Sequence, residues 1–263
     1  MPPETGKVLL VGAGPGAVDL LTLRAARAVE TAQALLYDAL VDPQVLELAP
    51  HACLRIQTGK RAGKASVSQA AINRLMLRLA RRGLRVVRLK GGDPSIFGRS
   101  GEEIAFLEGH GVEVEVVPGV TAASAAAAQF GFSLTQRGKA RRLVFATVRS
   151  GDGAMVDGGW AGLADPEATV ALYMGRDKAG AAASRLMANG RSAQTPALAV
   201  ENAGRPEARL VRTRLGDLGA VVEAAGLDGP VLLLVGQVAA EAKVRATHAG
   251  PKTVVMDNAA RHA

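Results

Sequence analysis

Residues 86–103 read VVRLKGGDPSIFGRSGEE, and the fold class turns on them. A β-branched run, Val86-Val87-Arg88-Leu89-Lys90, stops at Gly91-Gly92-Asp93-Pro94. The paired glycines let a backbone come close to a ligand, and Pro94 sends the chain on in a turn. Asp93 therefore stands at the carboxyl end of a strand, where open α/β sheets place their ligands. Arg99 and Glu102 follow three apart, so on a helix they share one face. Upstream, Val8-Leu9-Leu10-Val11 is a buried-type strand that ends in the glycine turn GAGPG at 12–16. A helix is expected over 20–31 with Asp19 as its N-cap, then a second strand, Ala34-Leu35-Leu36-Tyr37, closed by Asp38. A basic loop at 58–64 precedes a helix over 68–82 that carries Ile72, Leu75, Met76 and Leu79 on one stripe. Downstream come a helix near 102–109, a strand over 112–117 and an alanine-rich helix at 122–128. This βαβα alternation predicts an α/β fold with a mostly parallel sheet covered by helices.

The pattern restarts near Arg141. Strands are expected at 143–147, 169–173, 197–201 and 231–235, with helices near 178–189 and 216–225. Residues 150–159 are rich in Gly and Asp and are expected to form a loop. Apolar periodicity fades after Ala240. The expected organisation is an N-terminal α/β domain over 6–136, a C-terminal α/β domain over 137–240, and a disordered tail over 241–263.

Composition excludes several function classes. The 263 residues are 48% hydrophobic but only 3% aromatic, so the core is Ala, Val and Leu, and stacking platforms for nucleic-acid bases are not expected. The formal net charge is +8, and its arginine-rich basic residues are dispersed, which favours an anionic small molecule over nucleic acid. A lone cysteine, Cys53, allows no internal disulfide, and four scattered histidines have no metal-ligand spacing. No metal is expected. The polar start MPPETGK and the lack of a long apolar run predict a cytoplasmic protein with no membrane segment.

Taken singly, the motifs have ordinary readings. GAGPG puts Val18 where a dinucleotide fingerprint needs its third glycine, and Pro15 removes a backbone donor, so NAD binding is not expected. Asp38 could be a turn former, Lys60 and Arg61 solvated charges, Thr121-Ala122 a helix start, and Met174 a core filler. Neither a Ser-His-Asp nor a Cys-His nucleophile arrangement stands out.

Taken together, GAGPG (12–16), YDALV (37–41), GKRAG (59–63), KGGDPSIFGRSGEE (90–103), VPGVTAASAAAA (117–128), LTQR (134–137), YMG (173–175) and VEN (200–202) closely resemble the uroporphyrinogen-III C-methyltransferases of the tetrapyrrole methyltransferase superfamily. The resemblance covers residues 6–238. It implies two α/β domains with the cofactor in the cleft between them, and a homodimer. The implied cofactor is S-adenosyl-L-methionine, leaving as S-adenosyl-L-homocysteine, with no metal. The implied substrate is an anionic tetrapyrrole, methylated at two pyrrole carbons to give precorrin-2 for sirohaem or cobalamin synthesis.

By the same resemblance, the cofactor-binding positions are Pro15, Gly91, Gly92, Asp93, Ile96, Thr121, Ala122, Met174, Ala203 and Val231, the last two through backbone atoms. Asp38 and Lys60 match proposed proton-transfer residues, and Arg99 and Glu102 complete the catalytic set. Arg99, Glu102, Arg137, Arg149 and Met174 are the implied substrate-binding residues. An arginine-rich site suits a macrocycle bearing eight carboxylates, because guanidinium binds carboxylate bidentately.

The chain departs from the family's pattern at Ser95 (usually Phe), Gln136 (usually His) and Val148-Arg149 (usually Gly-His). Arg149 could replace the histidine as a permanently charged carboxylate partner, while Val148 adds bulk where the backbone had freedom. These departures keep two alternatives open: another precorrin methyltransferase of the corrin pathway, or a catalytically weakened S-adenosylmethionine-binding homologue.

Overall fold

Five strands whose side chains alternate between two apolar layers build the first sheet. β1 (Val8–Gly12), β2 (Ala34–Tyr37), β3 (Leu54–Gln57), β4 (Val86–Lys90) and β5 (Val114–Val117) run parallel in the order β3-β2-β4-β1-β5. The structure is a computed structural model describing residues 6–59, 67–149, 154–156 and 158–243, and the backbone of 255–257. β4 is buried along its whole length, as a central parallel strand covered on both faces must be. One face packs Leu35, Val87 and Leu89 against α1 (Leu23–Glu30) and α2 (Pro43–Glu47). The other packs Leu10, Leu36 and Val86 against α3 (Gln69–Ala80) and α4 (Ser100–Glu108).

Helix starts follow local chemistry. Ser68 caps α3, its hydroxyl accepting from Ala71 N at 3.2 Å. Thr22, not Asp19, caps α1, accepting from Ala25 N at 3.1 Å; Asp19 falls in a separate 3-10 turn, Val18–Leu20. Asp42 caps α2 with Pro43 at its first position, a signal that identifies a helix too short to show apolar periodicity.

The second sheet is mixed. β6 (Arg142–Thr147) pairs parallel with β7 (Ala168–Tyr173). β7, β10 (Val231–Val235), β8 (Pro196–Glu201) and β9 (Arg209–Arg214) then pair antiparallel in that order. The sequence RLVRTR of β9 was not expected as a strand: three arginines among six residues mask the buried Leu210 and Val211. One face packs on α6 (Trp160–Leu163), α7 (Ala179–Ala188) and α8 (Leu218–Ala224). The other packs on α5 (Ala122–Gln129).

Backbone contacts divide the chain into two units, one ending at Thr121 and one beginning at Ala122. The expected boundary was 136/137. It falls earlier because Ala123, Ala126 and Ala127 of α5, with Phe130 and Phe132, bury against Leu198, Val200, Leu232 and Leu234. Within the expected tail, Glu241 closes a 3-10 turn and Val255–Asp257 forms β11, parallel to β9. Arg191 replaces a carboxylate partner with carbonyls: its guanidinium donates to the oxygens of Leu163, Asp165, Ala168 and Val235, clamping the start of β7 to the end of β10.

Candidate functional site

The carboxyl ends of β1, β4 and β5 meet as three glycine turns. Gly92 N donates to Gly14 O at 2.7 Å and Gly14 N to Gly92 O at 3.2 Å, while Ala13 N donates to Lys90 O at 2.7 Å. A Cβ on Gly12 would lie 2.6 Å from Gly119 N and Cα, so this approach is possible only between glycines. Gly92 differs. Its φ is +69°, and a Cβ there would meet no atom within 4 Å. It faces open space at a strand tip, a place a ligand can reach. Pro15 is half-buried beside it, Gly91 is exposed, and Ile96 closes a turn by donating its N–H to Asp93 O at 3.2 Å.

Asp93 holds this arrangement in place. One carboxylate oxygen accepts from Ser95 N at 2.8 Å and from the Ser95 hydroxyl; the other accepts from Gly119 N at 2.9 Å. Burial pushes the carboxyl pKa up, but the bonds from Ser95 and Gly119 outweigh it and hold the group below its ordinary value. Its contribution is present above an unfolded pKa of about 3.9 and is lost as pH falls through the lower folded value. Ser95, where the resembled family has Phe, thus finishes the turn.

Beyond the turn, Phe97 and Arg99 both adopt left-handed backbone, with φ of 54° and 56°. Such strain in non-glycine residues concentrates at functional sites. Arg99 immediately precedes α4 and forks onto Glu102, Nε to Oε1 and Nη2 to Oε2, both at 2.8 Å. The sequence placed the two on one helix face; the structure makes them an exposed bidentate pair.

Asp38, at the tip of β2, is tied to a buried polar network the sequence reading missed. Arg88 Nη2 donates to Asp38 Oδ1 at 2.6 Å, and Arg88 Nε donates to Glu103 Oε1 at 3.2 Å. Lys90 Nζ reaches both Glu103 oxygens, at 3.2 and 3.0 Å. Gln69 Nε2 donates to Glu103 Oε1 at 3.0 Å and to Asn73 Oδ1 at 2.9 Å. Glu103 is fully buried, and Arg88 and Lys90 nearly so. Burial first, and then the neighbouring Arg88, push the Lys90 pKa down, while Glu103 opposes both. A signal was present: two cations at alternate positions of a strand flanked by buried strands cannot both be solvated.

The second unit carries the remaining positions. Met174 is not core: it is 48% exposed, with φ of 56°. Beside it, the Tyr173 hydroxyl accepts from Ala123 N at 3.3 Å, which brings YMG to the amino end of α5, next to Ala122. Thr121 is the last residue of the first unit. Ala203 and Val231 bury their side chains in the two apolar layers, which leaves backbone atoms for any contact. Arg137 is exposed at the tip of a hairpin closed by Gln136 and Ala140. Val148 is fully buried, and a Cβ on Gly175 would lie 3.3 Å from its Cγ2, so the bulk added at 148 fills core. Arg149 pairs with Asp177. Lys60 and Arg61 lie outside the described residues, as do 150–153 and 157 of the expected loop. Among the described residues no group of His, Cys, Asp and Glu is placed to hold a metal, and no helix is long and apolar enough to cross a membrane.

Residues 7–219 match the family model of the tetrapyrrole (corrin/porphyrin) methylases. A siroheme synthase of Azotobacter vinelandii is 46% identical over 237 residues, covering 90% of this chain and 51% of its own length. An S-adenosyl-L-methionine-dependent uroporphyrinogen III methyltransferase of Arabidopsis thaliana, described as chloroplastic, is 46% identical over 235 residues, covering 89% of this chain and 63% of its own. The chain thus spans about half the length of the siroheme synthases it matches. Among solved structures, a uroporphyrin-III C-methyl transferase from Thermus thermophilus complexed with S-adenosylhomocysteine superposes with a TM-score of 0.78. It shares 41% identity and is covered over 100% of its length, against 90% of this chain. A cobalt precorrin-4 methyltransferase gives a TM-score of 0.79 at 28% identity, covering 89% of this chain and 95% of its own.

Proposed function

The chain belongs to the tetrapyrrole (corrin/porphyrin) methylases, and we propose that it is an S-adenosylmethionine-dependent uroporphyrinogen-III C-methyltransferase, working at two pyrrole carbons to give precorrin-2. The observation that carries this reading is the carboxyl end of the first sheet: the open glycine turn at Gly92 follows β4, the Asp38 carboxylate follows the neighbouring β2, and the Arg99–Glu102 fork opens α4, the next helix after β4. Greater identity to the Thermus enzyme than to the cobalt precorrin-4 methyltransferase supports this substrate over a later corrin intermediate. The relatives named siroheme synthase favour sirohaem as the pathway. A cytoplasmic homodimer without nucleic-acid or membrane partners completes the proposal.

The residues present suit the cofactor, since Gly92 leaves open the space a Cβ would take. When bound, S-adenosylmethionine supplies an electrophilic methyl group on a positively charged sulfur. The positions proposed to hold it are Pro15, Gly91, Gly92, Ile96 and Thr121 in the first unit and, by the family resemblance, Ala122, Met174, Ala203 and Val231 in the second. Asp93 shapes the turn rather than offering its carboxylate, whose oxygens are engaged. Pyrrole carbons of the substrate are electron-rich, so positioning supplies much of the rate. Arg99 and Arg137 bind propionate and acetate groups of the macrocycle. Asp38 takes the proton the methylated macrocycle must release, with Lys60 as the second group proposed for that step.

S-adenosylhomocysteine titrated into the protein in a calorimeter is expected to give saturable heat, and NAD none. Saturable NAD binding with no response to S-adenosylhomocysteine would refute the cofactor assignment.

A second expectation concerns substrate charge. Arg99→Ala removes a guanidinium and also unmasks Glu102, so tetrapyrrole affinity should fall by more than the about 1.5–3 kcal/mol of one charge-assisted hydrogen bond. Arg99→Ala/Glu102→Ala should recover part of that loss. Arg137→Ala should cost affinity without such recovery. Arg149 must give up Asp177 before it can hold a substrate carboxylate, so Arg149→Ala should cost less than Arg137→Ala. Measured by fluorescence titration with uroporphyrin, equal losses in cofactor and tetrapyrrole affinity would instead make these arginines organisers of the fold.

A further inference from the structure

The network beneath the strand tips is larger than the site it serves, and one residue is common to all its branches. Glu103 sits in the first turn of α4, directly after Glu102, with no exposed surface. Through Arg88 it reaches Asp38 on β2. Through Lys90 it fixes α4 to the end of β4. The Lys90 chain passes against Gly98, where a Cβ would lie 3.1 Å from Lys90 Cε, and this packs the bend that leads into Arg99. Through Gln69 it holds the first residue of α3, just downstream of the GKRAG motif. Two segments that carry proposed site residues, the tip of β2 and the start of α4, therefore meet at one carboxylate.

Burying a carboxylate between two cations is expensive, and apolar side chains of the same size would pack such a space at least as stably. The neighbouring face shows the apolar solution, with Val87 and Leu89 on the same strand. The charged solution does what apolar packing cannot. It fixes an arginine so that one nitrogen presents to Asp38 Oδ1 and leaves Asp38 Oδ2 without a partner among the described residues. Asp38 keeps part of its side chain exposed while its cation partner is sealed.

We infer that Glu103 is a positioning residue for methyl transfer: acting through Arg88, it sets the Asp38 carboxylate for proton removal. This rests on the reading of Asp38 as the proton acceptor. Arg88 and Lys90 belong to the same device, and none of the three touches substrate.

The test is a double-mutant cycle on kcat with uroporphyrinogen III under anaerobic conditions. Glu103→Gln alone would leave Lys90 facing an amide, so it is combined with Lys90→Met, which removes one charge of each sign and protects the fold. Circular dichroism and S-adenosylhomocysteine titration confirm that protection. The expected loss in kcat for Lys90→Met/Glu103→Gln is about 100-fold, the usual worth of a placed acid or base, with KM changed only a few-fold. In an Asp38→Asn background, the same pair of changes should cost little more, because a residue that acts through Asp38 has nothing left to position. Losses that multiply instead would make Glu103 a structural residue and overturn the inference, with wild-type turnover intact. An inert wild-type chain would refute the proposed function itself, and this inference with it.

Discussion

Gly92→Val is expected to weaken S-adenosylhomocysteine binding by about 100-fold or more, about 2.7 kcal/mol, while the protein stays folded. Two features of Gly92 separate binding from folding. A Cβ there meets no protein atom within 4 Å, so the valine does not clash with its own chain. Its methyls extend into the open side of the turn, where the cofactor is proposed to lie. A φ of +69° costs a β-branched residue about 1–3 kcal/mol, less than the about 5–15 kcal/mol that stabilises a typical domain. Gly111 supplies the control. Its φ is +76°, its Cβ direction is equally open, and it lies in the turn between α4 and β5, away from the strand tips. Gly111→Val should carry the same strain and bind normally. Calorimetry on both variants distinguishes the cases. Normal binding by folded Gly92→Val would make the glycine turn purely structural.

Gly119→Ala should do the reverse and damage the fold. A Cβ on Gly119 would lie 2.9 Å from Gly12 Cα and closer still to the Gly92 carbonyl oxygen. These are backbone atoms, and a backbone cannot swing aside as a side chain can. Separating them breaks the contact between the ends of β1, β4 and β5 and strains the bond from Gly119 N to Asp93. Destabilisation of about 3 kcal/mol is expected, the upper end for overpacking, which lowers the melting temperature by about 10 °C in a chain of this size. A variant melting within about 2 °C of wild type would show that the three turns yield easily and that the glycines are not there for close approach.

The two glycines also mark what could be read from sequence. The strand-then-glycine pattern at 8–16, 86–94 and 112–119 located all three turns, because a β-branched run followed by glycines has few other uses. It could not tell that Gly119 meets backbone while Gly92 meets open space, since that depends on which strands neighbour β1. Met174 shows the same limit: taken alone a methionine reads as core filler, the resemblance placed it at the site, and only the structure shows it exposed on left-handed backbone. The buried network was less legible. Arg88 and Lys90 stand in a strand otherwise apolar, but the carboxylate they share is Glu103, in the first turn of the following helix. The motif GEE drew the reading to Glu102, which faces outward with Arg99. In the second unit, β9 was hidden by its arginines. The unit boundary was hidden by α5, whose alanines have the pattern of any close-packed helix and say nothing of which sheet they cover.

The central claim is methylation of uroporphyrinogen III at carbon. Its most direct test is anaerobic incubation of the pure protein with uroporphyrinogen III and S-adenosylmethionine, followed by mass measurement of the tetrapyrrole. The account predicts a product heavier by two methylene units, each methyl replacing one hydrogen, with matching release of S-adenosylhomocysteine. Recovery of unchanged uroporphyrinogen III, from protein that binds S-adenosylhomocysteine, would contradict it.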